Sequence, residues 1–194
     1  MYIAIEGIDT SGKSTQIQML RKHFPDAIIT KEPGGTEIGE KIRDIVLSAK
    51  AKSKKAEFLL FLADRAEHIQ EVVEPNLDKV IISDRSVVSG VAYALIQDEI
   101  SQTAILHLNR FATNGIYPQK VFLLKLTKEE LEFRLSQKEL DGIELRGSEY
   151  LLEIQNSIIE AAKLLKLDLI TIDATKSIED ITKIILDNMK EMDD

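Results

Sequence analysis

Short apolar runs alternate with helix-forming segments along this sequence of 194 residues. The runs are rich in apolar and β-branched residues and are bounded by glycine or polar residues, as buried strands are. They occupy residues 2–6, 27–30, 80–83, 121–126 and 167–173. Strands that alternate with helices predict a three-layer α/β fold, in which a parallel five-stranded sheet carries helices on both faces. The length predicts a single domain, residues 1–194.

The helices are predicted from their caps and apolar stripes. Thr36 and Thr127 are candidate N-caps, because a threonine hydroxyl accepts a hydrogen bond from the first turn of a helix. The helix after Thr36 is expected to carry one apolar face, formed by Ile38, Ile42, Ile45 and Val46. The longest helix, residues 56–73, is expected to bury the stripe Leu59, Leu62, Ala66, Ile69 and Val73. Phe58 and Leu60 give that helix a second apolar face.

A glycine-rich motif directly follows the first apolar run. Residues 7–14 read Gly-Ile-Asp-Thr-Ser-Gly-Lys-Ser and match the phosphate-binding loop (P-loop) pattern G-x-x-x-x-G-K-[ST]. The glycines let backbone N–H groups point at a phosphate chain, and the motif predicts the P-loop NTPase type of fold. We expect Lys13 to reach the β and γ phosphates of ATP and Ser14 to ligate Mg²⁺. The residues expected to bind ATP are Gly7, Ile8, Asp9, Thr10, Ser11, Gly12, Lys13, Ser14 and Thr15.

Composition and charge argue against several classes of protein. The formal net charge of −8 repels a polyanion, so no nucleic-acid partner is expected. No run of about 18 apolar residues is present, so no membrane helix is expected. The chain has no cysteine, which excludes disulfides and a cysteine nucleophile. Because the chain has no cysteine and its N-terminus does not resemble a signal peptide, we expect a cytoplasmic location. The lack of an Asn-Lys-x-Asp segment disfavours a GTP switch.

Three further polar segments lie where such a sheet is expected to bind its ligand, close to the carboxyl ends of its strands. They are Lys31-Glu32-Pro33-Gly34-Gly35-Thr36, Phe61-Leu62-Ala63-Asp64-Arg65 and Asp84-Arg85-Ser86-Val87-Val88-Ser89-Gly90-Val91-Ala92-Tyr93. Together with Asp9 of the P-loop, and in this order, they resemble the motifs of the thymidylate kinase family. The resemblance covers essentially the whole chain. It implies a Mg²⁺-dependent transfer of the γ-phosphoryl group of ATP to thymidine monophosphate, carried out by a homodimer.

The resemblance also implies roles for the residues around the acceptor phosphate and the sugar. Arg85 and Arg43 would hold the acceptor phosphate, since a guanidinium grips phosphate oxygens in a bidentate way. Asp84 would lie near the Mg²⁺ shell. Asp9 would accept a hydrogen bond from the 3′-hydroxyl of the sugar.

For the base, the residues alone leave two interpretations open. Phe61 and Arg65 are four residues apart on one helix face, where a ring beside a guanidinium suits a planar base. The alternative is a core contact for Phe61 and a surface salt bridge for Arg65. The resemblance makes Phe61 the ring that stacks on thymine and Arg65 a contact to the nucleotide. It further implies that Glu32 braces the site, that Pro33 is a substrate-binding residue, that Ser89 lies near the base, and that Tyr93, whose alternative is core packing, lies at the 2′ edge of the sugar.

Residues 137–148 form a polar, glycine-containing segment that is expected to act as a short lid. Thymidylate kinases place an arginine either in the P-loop or in a lid run of the form Asp-Arg-x-Glu. This P-loop contains no arginine, and residues 141–144 read Asp-Gly-Ile-Glu. Arg134, Lys138 and Arg146 flank that run and are the available substitutes. The candidate catalytic residues are Lys13, Arg85, Asp84, Asp9, Arg146 and Arg134.

Two other functions remain open at this point. A kinase of the same architecture for another nucleoside monophosphate fits the same motifs. A switch that hydrolyses ATP without an acceptor fits the P-loop, but it has no reason to build a second anion site from Arg43, Arg65 and Arg85. A monophosphate has a second pKa of about 6, so its oxygen is ionised at neutral pH and its transfer needs no general base.

Overall fold

Five parallel strands form one sheet. They are β1 (Tyr2–Glu6), β2 (Ile28–Lys31), β3 (Ile81–Asp84), β4 (Lys120–Lys125) and β5 (Leu169–Asp173), in the spatial order β2-β3-β1-β4-β5. The structure is a computed structural model that describes residues 1–48, 52–137 and 146–192. The predicted parallel sheet is therefore confirmed, and its strands begin and end within a few residues of the predicted positions.

Helices connect the strands and pack on both faces of the sheet. In the described ranges they are α1 (Lys13–His23), α2 (Glu37–Leu47), α3 (Lys54–His68), α4 (Val87–Gln97), α5 (Gln102–Ala112), α6 (Lys128–Ser136), α7 (Ser148–Leu164) and α8 (Ile178–Lys190). After α3 the chain continues through a π-helical turn, Ile69–Val73, and a 3₁₀ turn, Glu74–Asn76. Among the described helices, none has both the length and the apolar character needed to cross a membrane.

The two predicted N-caps are confirmed. The Thr36 hydroxyl accepts a hydrogen bond from the Gly39 N–H at 2.9 Å, and the Thr127 hydroxyl accepts one from the Glu130 N–H at 3.3 Å. Each hydroxyl satisfies an N–H that has no partner inside its helix, so the caps fix where α2 and α6 begin.

The predicted apolar stripe of the long helix is confirmed at Leu62, Ile69 and Val73, which are buried, and is wrong at its other two positions. Leu59 is 55% exposed and Ala66 is also exposed, whereas Phe58, Leu62 and Arg65 are buried. The buried face of α3 also includes the polar residues Arg65 and His68, so counting apolar residues alone misses part of that face.

The predicted apolar face of α2 is also only partly buried. Val46 belongs to the core, whereas Ile38 and Ile45 are each 50% exposed. The reason is that α2 packs beside α3, so only one edge of its apolar face is covered.

The register between β1 and β3 positions the site. Ile5 is paired with Asp84, and the Arg85 N–H donates to the Ile5 carbonyl at 3.0 Å. The P-loop after β1 and the Asp-Arg segment at the end of β3 therefore leave the sheet at the same edge. The next strand contributes as well, since β2 ends beside Asp84 and its following residue, Glu32, donates its N–H to the Asp84 carbonyl at 3.0 Å.

Candidate active site

The P-loop wraps around the N-terminus of α1. Gly7 and Gly12 have positive φ angles of 151° and 97°, and Thr10 between them has a φ of 67°. The Lys13 ammonium turns back onto this loop and donates to the carbonyls of Gly7 at 2.9 Å and Ile8 at 3.1 Å. The loop therefore has the curvature of a phosphate cradle, and the cation that the sequence predicts lies inside it.

A polar cavity of 460 Å³ lies in front of the cradle. Lys13, Ser14 and the guanidinium-bearing residues Arg43 and Arg85 all line it. Its carboxylates are Asp9, Glu32 and Asp84, and its remaining lining residues are Thr10, Gly12, Thr15 and Lys31. Several cations around one cavity are the arrangement that a phosphate chain with several charges requires.

The ion pair between Asp9 and Arg85 joins the P-loop to the segment that follows β3. Arg85 Nη2 donates to Asp9 Oδ1 at 2.8 Å, and the Lys13 Nζ lies 4.0 Å from the same oxygen. Arg85 has a φ of 66°, in the left-handed region that a side chain rarely adopts. The Ser83 hydroxyl donates to the Arg85 carbonyl at 2.7 Å and so helps to hold that backbone conformation. The guanidinium is therefore held in place before any ligand binds.

A second, more apolar cavity of 230 Å³ adjoins the first. It shares four lining residues with the polar cavity, namely Asp9, Glu32, Arg43 and Arg85. All nine residues that the sequence predicts for substrate binding line it: Asp9, Glu32, Pro33, Arg43, Phe61, Arg65, Arg85, Ser89 and Tyr93. Phe61 is half-buried at this cavity, which makes its ring available to a planar ligand.

Arg65 is not on the surface, so the surface salt bridge considered for it is wrong. It is 2% exposed, and its Nε donates to Glu32 Oε2 at 2.9 Å. The second oxygen of Glu32 lies 2.9 Å from Nδ1 of the buried His68. Burial alone would raise the pKa of Glu32, but Arg65 and His68 outweigh it and lower that pKa. Glu32 is thus an ionised brace between β2 and α3, as the resemblance implies.

Sequence reasoning missed three buried polar residues whose partners line the second cavity. His68 joins Glu32 to Thr30, whose hydroxyl lies 2.7 Å from His68 Nε2. Asn109 on α5 accepts a hydrogen bond from Arg65. Glu6 accepts hydrogen bonds from the hydroxyls of Ser86 and Ser89. The spacing of Arg65 and His68, three residues apart on one helix, is the one local signal available, because the other partners come from distant elements.

The comparisons with known proteins agree with this geometry. A family model described as thymidylate kinase matches residues 5–185. The chain belongs to the thymidylate kinase family. A thymidylate kinase of Sulfurimonas denitrificans is 76% identical over 189 residues, which cover 97% of this chain and 99% of that protein. Another, of Aliarcobacter butzleri, is 58% identical over 187 residues, which cover 96% of this chain and 97% of that protein.

The fold of the kinase is also that of a solved relative. The crystal structure of a thymidylate kinase from Ehrlichia chaffeensis superposes with a TM-score of 0.75 at 25% identity and covers 98% of both chains. The expected family, the P-loop type of α/β fold and the expected enzyme class, a nucleoside monophosphate kinase, are therefore confirmed.

The acidic and hydroxyl groups of the polar cavity fit a Mg²⁺ ion. The Oδ1 atom of Asp84 is buried, and within the described residues it has no hydrogen-bond partner, although Asp84 lines the cavity beside Ser14. The described residues contain no cluster of three or more side chains able to hold a metal by themselves. A Mg²⁺ ion at this place would therefore take most of its oxygen ligands from phosphates and water, as Mg²⁺ commonly does.

The two candidate arginines near the lid lie in different surroundings in the kinase. The Arg134 guanidinium donates to the carbonyl of Thr10 in the P-loop at 2.9 Å and to the carbonyl of Ala174 at 2.8 Å. Arg146 is exposed and packs on the ring of Tyr150, with its guanidinium carbon 5.0 Å from the ring centroid. Residues 138–145 of the predicted lid, with Lys138 and the Asp-Gly-Ile-Glu run, lie outside the described residues.

Lys13 gives a pH-dependent test of the cradle. Burial, with the charge of Arg85, lowers the pKa of Lys13 to about 8 from 10.5. Below about pH 8 the ammonium is charged in both states, and its burial destabilises the fold. Above that pH the folded state releases the proton first, so the penalty decreases. Relative to Lys13→Met, the free energy of unfolding of the natural protein should rise by about 2 kcal/mol between about pH 7.5 and about pH 9.5.

Urea unfolding of both proteins at the two pH values measures this difference. Lys22→Met is the matched control, because Lys22 is exposed at the other end of the same helix and should show no such pH dependence. An equal difference between natural protein and Lys13→Met at both pH values would contradict the burial of a charged Lys13.

Proposed function

We propose that the protein transfers the γ-phosphoryl group of ATP to thymidine monophosphate and forms thymidine diphosphate, a step in the synthesis of deoxythymidine triphosphate. One observation carries this proposal: a phosphate cradle and a cavity suited to a nucleoside monophosphate adjoin each other and share Asp9 and Arg85. Membership of the thymidylate kinase family supports the choice of thymidine monophosphate as the acceptor.

ATP would bind with its phosphates in the P-loop. Its β and γ phosphates take the inward-pointing N–H groups and the Lys13 ammonium, which exchanges two backbone carbonyls for phosphate oxygens. Ser14 and Asp84 would hold Mg²⁺, which neutralises charge that develops between the phosphates. The positive end of α1 adds to the same attraction.

Thymidine monophosphate would bind in the second cavity. Arg85 and Arg43 hold its phosphate, and the Phe61 ring stacks on the base. The Asp9 carboxylate accepts from the 3′-hydroxyl, and this contact competes with its ion pair to Arg85. Tyr93 stays protonated, because burial raises its pKa to about 12, so its hydroxyl remains neutral beside the sugar. Catalysis then depends on in-line positioning and on cations around the moving phosphoryl group.

The second cavity bears on the two alternatives to this proposal in different ways. A switch that hydrolyses ATP without an acceptor would leave the cavity with Phe61 and Arg65 unexplained. A kinase for another nucleoside monophosphate would use the same phosphate contacts and differ at the base. The experiment must therefore compare bases rather than phosphates.

Steady-state rates with ATP and a panel of nucleoside monophosphates test the proposal. Thymidine monophosphate should give the highest kcat/KM, and Arg85→Met should lower that value by about a hundredfold or more, because one charged contact to the moving group is lost. Arg110→Met, which removes an exposed arginine of α5, is the control and should match the natural enzyme. A higher kcat/KM for another monophosphate, or ATP hydrolysis that ignores the acceptor, would refute the proposal.

The two arginines near the lid are proposed to supply the positive charge that the lid sequence lacks. Arg134→Ala and Arg146→Ala should each lower kcat about tenfold or more with little loss of nucleotide binding. Arg134 would also act on kcat in a second way, because its hydrogen bond to the Thr10 carbonyl helps to hold the conformation of the P-loop. Rates are compared with Lys128→Ala, an exposed position on α6. Natural turnover in both arginine variants would disprove the assignment.

A homodimer is proposed on the outer side of α2 and α3. The two helices pack together and leave Ile38, Ile45 and Leu59 about half exposed. A second copy would cover this apolar surface. Light scattering should report a dimer for the natural protein and a monomer for Leu59→Glu, whereas Phe133→Glu, on the exposed side of α6, should stay dimeric. A monomeric natural protein, or a dimeric Leu59→Glu, would exclude this interface.

A cytoplasmic location, and the absence of nucleic-acid and membrane partners, stay predictions. They are supported by the net charge of −8 and by the lack of cysteine.

A further inference from the structure

The guanidinium of Arg65 is held from several sides before a substrate arrives. Nε donates to Glu32, and Nη1 donates to the side-chain oxygen of Asn109 at 2.6 Å. Nη2 lies against Gly90 of α4, where an added Cβ would collide with it. Arg65 lines the second cavity one helical turn after Phe61. The plane of the guanidinium is therefore fixed relative to the ring beside which the base would stack.

The side-chain amide of Asn109 has a fixed orientation, with its oxygen towards Arg65. It is completely buried on α5, and its side-chain nitrogen donates to the Ile105 carbonyl at 2.8 Å. That hydrogen bond sets the orientation of the amide, so the oxygen faces Arg65 and accepts from Nη1. In the described residues, α5 contributes no side chain to either cavity. Asn109 can therefore affect a bound nucleotide only through Arg65.

We propose that Asn109 is a positioning residue for the acceptor nucleotide, because it locks the Arg65 guanidinium in the orientation that the second cavity requires. The inference rests on the proposed function only in naming thymidine monophosphate as that nucleotide. Glu32 binds only the Nε atom, so with this contact alone the rest of the guanidinium could still turn. The hydrogen bond from Nη1 to Asn109 prevents that turn. A side chain ordered in advance loses less entropy when its ligand binds.

The binding of ATP should depend little on Asn109. Arg65 does not line the polar cavity in front of the P-loop, although its partner Glu32, which follows β2, does. Its other contacts are with Asn109 on α5 and Gly90 on α4. Loss of the Asn109 oxygen would leave a buried charged donor unpaired and free to turn towards other acceptors. The main consequence is therefore expected for the acceptor nucleotide, and a smaller one for ATP.

The experiment replaces Asn109 by leucine and by aspartate. Leucine has a similar volume and no acceptor, so Asn109→Leu should raise KM for thymidine monophosphate about tenfold or more. Its KM for ATP and its kcat should change by less than about threefold. Aspartate keeps an acceptor towards Arg65, so the KM of Asn109→Asp should lie closer to the natural value. Calorimetric titration with thymidine monophosphate should show the same order of affinities without turnover.

Thr113→Val is the matched control. Thr113 is a buried polar residue at the end of the same helix, and its hydroxyl makes local contacts only, to Arg110 and Gly115. Its variant should lower the thermal stability without changing either KM. If Asn109→Leu does not fold, Asn109→Ser, whose hydroxyl is too short to reach Nη1, is measured in the same way.

The outcomes separate the two claims. If Asn109→Leu changes both KM values equally, or changes only the stability as Thr113→Val does, Asn109 has a structural role and the inference fails. If the natural protein prefers another monophosphate, the proposed substrate fails instead, and the inference is judged by the KM of that monophosphate. An acceptor-specific rise in KM that aspartate reverses establishes the inference.

Discussion

The parallel pairing of β1 with β3 is the constraint on which the rest of the site depends. Ile5 is paired with Asp84, and the two strands end at the same edge of the sheet. The P-loop and the Asp-Arg segment therefore start side by side, and the ion pair between Asp9 and Arg85 closes the short distance between them. A different register would separate the two anion sites, because each residue of slip moves a strand by about 3.3 Å and reverses its side chains.

Before substrates bind, the cations of the site are paired with groups of the protein itself, which the substrates would replace. Lys13 pairs with carbonyl groups of its own loop, and Arg85 pairs with Asp9. These contacts keep buried cations paired in a protein whose net charge is −8. Phosphate oxygens can replace both sets of partners, because Lys13 would exchange neutral carbonyls for charged oxygens. Arg85 would exchange one carboxylate for a phosphate that a guanidinium can bind in a bidentate way. The cavity can therefore be rigid before binding and still accept several negative charges.

The sequence predicted those parts of the molecule that depend on local patterns. Strand positions, the caps at Thr36 and Thr127 and the P-loop follow from neighbouring residues, and the nine predicted substrate-binding residues do line one cavity. The predicted stripe of α3 fails at Leu59 and Ala66 because the buried face also takes in Arg65. The partners of Arg65, Glu32 and Asn109, come from the segment after β2 and from α5. Contacts between distant elements leave no periodic signal in one sequence. The spacing of apolar residues also does not show which polar residues are buried.

Two adjoining anion sites require the phosphate of the acceptor nucleotide to lie beside Arg85, so its position is the quantity to measure. A crystal structure with thymidine monophosphate and a non-hydrolysable ATP analogue would measure it. The account predicts phosphate oxygens of the monophosphate within about 3 Å of the Arg85 guanidinium, and the terminal phosphate of the analogue against Lys13. A monophosphate bound with its phosphate away from Arg85, and with the cavity beside Phe61 empty, would contradict it.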